Sequence, residues 1–190
     1  MKNINKKIKI FSLVFSLLVL GLLVYSIFNY SFLKNQINDN LNNQVIKYGY
    51  IAVFVLSFLL EISPQPFASA IIPFANGMVL GLDYYSLLIS TILGVITSSF
   101  AGYFLGIYFG KEIVLKFTGE ENYEKYYRIF KKYGKFGMAL IAITPLPYFP
   151  IIAGVFKMDF FDFVFYAVIP RVVYFFVFGY VLNLFFWNLK

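Results

Sequence analysis

The sequence predicts an all-α integral membrane protein: an N-terminal anchor helix, then two inverted repeats, each a re-entrant helical hairpin followed by a transmembrane helix. Three observations carry this. First, 61% of the 190 residues are hydrophobic and only 13% charged, with a mean hydropathy of +0.77, whereas soluble proteins average about 25% charge. Nine acids and sixteen bases cannot cover a soluble fold of this size unless much of its surface faces lipid. Second, the apolar residues fall into runs long enough to enter or cross a bilayer. Third, two of those runs are broken by prolines in a pattern that recurs.

Residues 11–30 follow Lys2, Lys6, Lys7 and Lys9 and supply about twenty apolar-dominated residues, the length of one crossing. No small-x-small cleavage site follows, so this is an uncleaved anchor with its N-terminus in the cytoplasm. With its polar connector it forms a first unit, 1–44, ahead of a membrane domain, 45–188. That domain divides into a repeat at 45–110, an amphipathic helix at 118–133 and a second repeat at 134–188.

Residues 49–82 are apolar but interrupted by Glu61, Pro64, Pro66 and Pro73; residues 136–156 are interrupted by Pro145, Pro147 and Pro150. Residues 84–110 and 160–187 are continuous spans. If both broken regions return to their own side, twelve of the sixteen bases lie inside and three outside, with Arg171 set aside. If both cross once, the count is five inside and ten outside. The positive-inside rule selects the first. Residues 50–60 make about 16 Å of helix against a hydrocarbon core of about 30 Å, so half-depth hairpins are predicted.

The halves align. Lys47-Tyr48-Gly49 recurs as Lys132-Tyr133-Gly134, and Ile62-Ser63-Pro64-Gln65-Pro66-Phe67 as Ile143-Thr144-Pro145-Leu146-Pro147-Tyr148. Gly77 followed by Asp83-Tyr84-Tyr85 matches Gly154 followed by Asp159-Phe160-Phe161. One crossing between similar units inverts the second, the plan of many secondary transporters, whose site lies at the midplane where broken helices meet. Pro-x-Pro cannot continue a helix, and unwound backbone at depth must be packed in protein or line a wet cavity.

Glu61 and Arg171 are ionisable residues placed well inside apolar sequence, where a charge costs about 2.5 to 3.5 kcal/mol on insertion scales. They are expected to face one cavity, as a structural ion pair or as a transport pair. In the second case Arg171 holds a phosphate or other anion and Glu61 is the proton-exchanging group. The candidate substrate residues are Glu61, Arg171, Pro64, Pro66, Pro145, Pro147, Gly77, Gly154 and Asp159. Gly94, Ser98, Gly102, Gly106 and Gly110, at four-residue spacing, form a helix-packing face. Its partner, within the chain or in a second copy as a homo-oligomer, is left open.

Within 118–133, Thr118 and Glu121 fit a capping box. Glu121/Lys125 and Glu124/Arg128 fit i,i+4 pairs. Tyr123, Tyr126, Tyr127 and Phe130 fit an interfacial aromatic face, and Lys131, Lys132 and Lys135 fit contacts to lipid phosphates. The net charge of +7 is read as topology rather than nucleic-acid binding. The sequence holds no Cys and no His, which excludes disulfides, thiolate or imidazole metal sites and Cys or His catalysis. No cofactor motif or nucleophile-base constellation is present, so no cofactor, no metal and no enzymatic activity are expected.

Glu61-x-x-Pro64-x-Pro66, Gly102-Tyr103-x-x-Gly106-x-x-x-Gly110, Tyr133-Gly134, Thr144-Pro145-Leu146-Pro147-Tyr148, Ala153-Gly154-Val155-Phe156-Lys157-Met158 and Arg171 together resemble the DedA/VTT (SNARE-associated Golgi protein) membrane superfamily, nearest its YqaA-like branch, over about residues 45–185. The resemblance implies two inverted hairpins and lipid translocation, with carrier-lipid recycling in bacterial members and phospholipid scrambling in eukaryotic ones. It maps the family's hairpin acid onto Glu61. Bacterial members carry arginines around the second proline motif, where this chain has Thr144, Leu146 and Tyr148, and Arg171 is the candidate replacement from another helix. The expected function is transport or scrambling of a polyprenyl-phosphate or phospholipid with an anionic headgroup in the plasma membrane. The alternatives are a proton- or ion-coupled carrier of small solutes and a non-transporting membrane organiser.

Overall fold

The computed structural model describes residues 39–62, 70–118, 120–143 and 149–187, with single helical positions at 14, 17, 21 and 25. The anchor at 11–30 lies, apart from those four positions, outside the described residues, as do Pro64, Pro66, Pro145 and Pro147. Every regular element among the described residues is helical. Helix α1 is Asp39–Ile62, α2 Ile71–Val79, α3 Tyr84–Thr118, α4 Glu120–Ile143, α5 Phe149–Val155 and α6 Phe160–Phe163. A π-helical turn, Val164–Val168, joins α6 to α7, Ile169–Trp187. Tyr84–Glu112 and Phe160–Leu184 are long and apolar enough to cross a membrane. The described residues are thus all-helical, and the pairs α1/α2 and α4/α5 each precede one of the two helices long and apolar enough to span a membrane.

The short helices begin where their prolines can be accommodated. Pro73 and Pro150 sit in the first turns of α2 and α5, where backbone N–H groups have no intrahelical acceptor and proline's missing donor costs nothing. Both helices end in the same turn. After α2, Leu82 N–H donates to Gly77 O and Gly81 N–H to Met78 O; after α5, Met158 N–H donates to Ala153 O and Lys157 N–H to Gly154 O. This is the six-to-one, five-to-two pattern of a Schellman cap, whose central residue is left-handed. Gly81 has φ 80° there and Lys157 φ 51°. Each turn leads into an aspartate cap: Asp83 accepts from Ser86 N–H at 2.9 Å, and Asp159 from Phe161 N–H at 3.0 Å. A tyrosine latches each turn, Tyr50 Oη accepting from Asp83 N–H at 3.0 Å and Tyr103 Oη donating to Met158 O at 2.6 Å.

These bonds shift the sequence alignment by one residue. Gly77 corresponds to Ala153, and Gly154 to Met78, because the left-handed position sets the register and the second turn places a lysine there.

Helix α3 is the spine. A Cβ on Gly94 would press on Phe54 O and Ser57 of α1. One on Gly106 would collide with Ile151 O, and one on Gly154 with Tyr103 O. The small-residue face therefore packs within the chain, Gly94 on α1 and Gly102 and Gly106 on α5, with Ser98 buried between. Gly110 departs from this role. It has φ 60° and ψ −153°, with open space where a Cβ would stand. It bends the chain out of the span in a backbone conformation essentially confined to glycine, and Gly134 (φ 56°, ψ −136°) does the same within α4.

Between those bends, the aromatics of the amphipathic segment also meet the second turn: Tyr123, Tyr127 and Phe130 surround Phe156 at ring-centroid distances of 5.9, 5.7 and 4.8 Å. Tyr123 is buried there, while Tyr127 stays exposed. The expected Glu121/Lys125 and Glu124/Arg128 ion pairs are not made; Arg128 Nε donates to the Glu124 carbonyl at 3.3 Å. Among the described residues the exposed ion pair is Lys135–Asp162, at 2.9 Å.

The left-handed lysine yields an expected outcome. Because a non-glycine residue there costs about 1 kcal/mol, Lys157→Gly should raise unfolding stability in detergent by about that amount and Gly81→Ala should lower it similarly. Stability shifts of the same sign in both variants would contradict the turn geometry.

Candidate functional site

Arg171 lies eleven residues beyond Phe160 and thirteen before Leu184 in the second apolar helix, about 16 and 20 Å along a helix, hence near its middle. It follows Pro170, which has no N–H to return to the preceding turn. The chain accommodates this by widening into the π turn, where Ile169 N–H reaches back to Val164 O. Such single π turns recur at functional positions.

Glu61 is the penultimate residue of α1. Its Oε2 accepts from Arg171 Nη2 at 2.6 Å, and the side chains are only 4% and 1% exposed. Two further bonds come from the ends of other helices. Ala70 N–H, at the N-cap of α2, donates to Glu61 Oε1 at 3.2 Å. Arg171 Nη1 donates to Ala142 O, in the last turn of α4, at 3.1 Å. A helix N-terminus carries partial positive charge and a C-terminus partial negative charge, so the acid and the base each meet the favourable end of an interrupted helix. The chain breaks are what make those ends available at depth.

Among the described residues, three rings stand around the guanidinium. The guanidinium carbon lies 5.5, 5.6 and 5.3 Å from the ring centroids of Phe149, Tyr174 and Phe175, within cation–π range. Phe149 and Phe175 are buried; Tyr174 is part-exposed. One polar constellation thus draws on α1, α2, α4, α5 and α7.

The other candidates divide by location. Gly77, buried in α2 under Leu87, and Gly154, buried in α5 against Gly106, serve helix packing. Asp159 is exposed and caps α6. Its counterpart Asp83 has its carboxyl held below the ordinary value, mainly by the Ser86 backbone N–H. That cap contributes at neutral pH and is lost as pH falls through the lowered value. Sequence reasoning missed the π turn, the Ala142 carbonyl and the aromatic setting. Of these, Tyr174 and Phe175 carried a signal, standing three and four residues after Arg171 on the same helix face.

Breaking a buried pair leaves one uncompensated charge, whereas replacing both partners can be neutral. Glu61→Leu and Arg171→Met should each lower stability by about 3 to 5 kcal/mol, and the double variant should recover most of the loss. Additive losses in chemical unfolding would show that the two side chains do not act as a pair.

The sequence pattern of the VTT domain matches residues 64–184, most of the region that holds these elements. The uncharacterized protein MJ0201 of Methanocaldococcus jannaschii is 31% identical over 120 residues, covering 62% of this chain and 74% of that protein. No solved structure matches the chain significantly. A chain whose spanning helices, turns and buried arginine fall within that matched region belongs to the VTT-domain (DedA/VTT) family.

Proposed function

We propose that this protein moves a lipid with an anionic headgroup, a polyprenyl phosphate or phospholipid, between membrane leaflets by exchanging the headgroup for Glu61 on Arg171. The observation that supports this reading is the buried pair itself, charge against charge at mid-span and bonded to the ends of two interrupted helices.

Charge balance supports the exchange. A guanidinium and a carboxylate together are neutral, and neutrality is what low-dielectric surroundings tolerate. The carboxylate occupies a position that a phosphate oxygen can take, since guanidinium geometry suits both. If a proton arrives on Glu61 as a singly charged phosphate headgroup arrives on Arg171, a diester or a monoprotonated monoester, the site goes from one neutral pair to another, a neutral acid beside an arginine–phosphate pair. Headgroup and proton therefore move together, and neither crosses as an isolated charge. The lipid tail stays in hydrocarbon.

In this reading α1/α2 and α4/α5 are half-depth hairpins of inverted repeats, with the N-terminus in the cytoplasm of a plasma-membrane protein. The same Schellman turn and aspartate cap at two places in the chain favour a repeat. The protein acts as a carrier rather than an enzyme, and its partners are lipids.

Purified protein in liposomes, with a fluorescent phosphate lipid followed between leaflets, tests the proposal. Wild type should exchange the lipid, while Glu61→Gln and Arg171→Ala, each checked for folding by gel filtration, should slow exchange about a hundredfold or more if each removes a charge-assisted contact of about 3 kcal/mol. Wild-type rates in both folded variants would rule the mechanism out.

A further inference from the structure

Of the rings around the Arg171 guanidinium, Phe149 is 1% and Phe175 3% exposed, so neither offers a way in. Tyr174 is part-exposed and stands on the border of its helix. On one side lie the buried Arg171 and Phe175. On the other lie Val173, Val177, Tyr180 and Val181, all more than half exposed and, in a spanning helix with this composition, turned to lipid. The Tyr174 ring stacks on Phe178 one turn on, at 5.8 Å and 29°, and Phe178 is part-exposed too.

We infer that Tyr174 is the gate to the Arg171–Glu61 site and that the gate opens sideways, to the hydrocarbon rather than to water. This rests on the proposed function and deepens it by naming the route by which its ligand reaches the site. An entrance bordered by lipid-facing valines suits an amphiphile whose anionic head turns inward while its chains remain outside, and does not suit a free hydrated solute. The device needs no backbone movement. A border residue on a helix can exchange rotamers on the picosecond to nanosecond scale when its ring has an open side. Swinging toward Val177 would remove the part-exposed member of the three described rings around the guanidinium. The ring, not the hydroxyl, performs this role, because it is the ring that covers the guanidinium.

The absence of cysteine from the chain permits a direct test. Ala70 is fully buried and its N–H bonds Glu61, so an Ala70→Cys thiol reports access to the site. Ala153, equally buried, belongs to the other core cluster, away from Tyr174, and Ala153→Cys reports general loosening. In proteoliposomes, membrane-permeant N-ethylmaleimide should label position 70 about tenfold faster when Tyr174→Ala is added, and Tyr174→Phe should leave the rate within about twofold, as expected for a local opening. Labelling at position 153 should not change. An unchanged rate at position 70, equal acceleration at position 153, or acceleration confined to a charged, water-soluble methanethiosulfonate would overturn the gate. The readout involves no transported lipid, so a protein that labels as expected but moves no lipid would overturn only the transport reading.

Discussion

One constraint organises the molecule: an acid and a base held together, buried against the middle of an apolar helix, where neither is tolerated alone. The cost of either charge there exceeds what a single neutral hydrogen bond returns. Glu61 and Arg171 therefore need each other and further polar partners. Continuous helices offer none, since their backbone groups are already bonded to one another. Interrupted helices do, because every interruption exposes N–H groups at one end and carbonyls at the other. The start of α2 supplies Ala70 N–H to the acid, and the end of α4 supplies Ala142 O to the base. The breaks that make the sequence unsuited to simple crossing helices are the same breaks that make the buried pair tenable.

The remainder of the fold holds those breaks in place. Two Schellman turns return the chain into the spanning helices, and two tyrosines fasten them. Glycines on α3 let that helix approach the backbones of α1 and α5 closely, so both interrupted units are braced against one spine. Without water to drive helices together, such close backbone approach is the main source of packing energy in lipid. The Gly110 and Gly134 bends carry the charged segment out of the spans and back, and its aromatics close over Phe156 at the second turn. The amphipathic segment is thus part of the protein's own core as well as its basic surface.

Much of this was legible in the sequence because it rests on local rules. Span lengths follow from apolar runs. The two buried charges stood out because few residues of their kind interrupt those runs, and the small-residue face followed from its spacing. What escaped required three dimensions or a residue in an unexpected role. The contact between Glu61 and Arg171 joins positions 110 residues apart, and periodicity carries no information about it. The register of the two turns differs by one from the glycine-based alignment, because the left-handed conformation marks the turn and Lys157 adopts it. Gly110 shares the spacing of the packing face yet bends the backbone, a distinction that lies in its φ and ψ rather than in its neighbours. Ion pairs at i,i+4 were expected from spacing alone, but exposed pairs gain little, and Arg128 turns to a carbonyl instead.

In the proposed exchange a lipid phosphate replaces the Glu61 carboxylate on Arg171 and Glu61 takes up a proton as it does so. Infrared difference spectroscopy on isotope-labelled protein in bilayers observes that event without relying on transport rates. Adding a phosphate lipid should remove one carboxylate band and produce one carboxylic-acid band, and both changes should be absent from Glu61→Gln. A phosphate lipid that binds, by an independent titration, while the Glu61 carboxylate band stays unchanged would contradict the account.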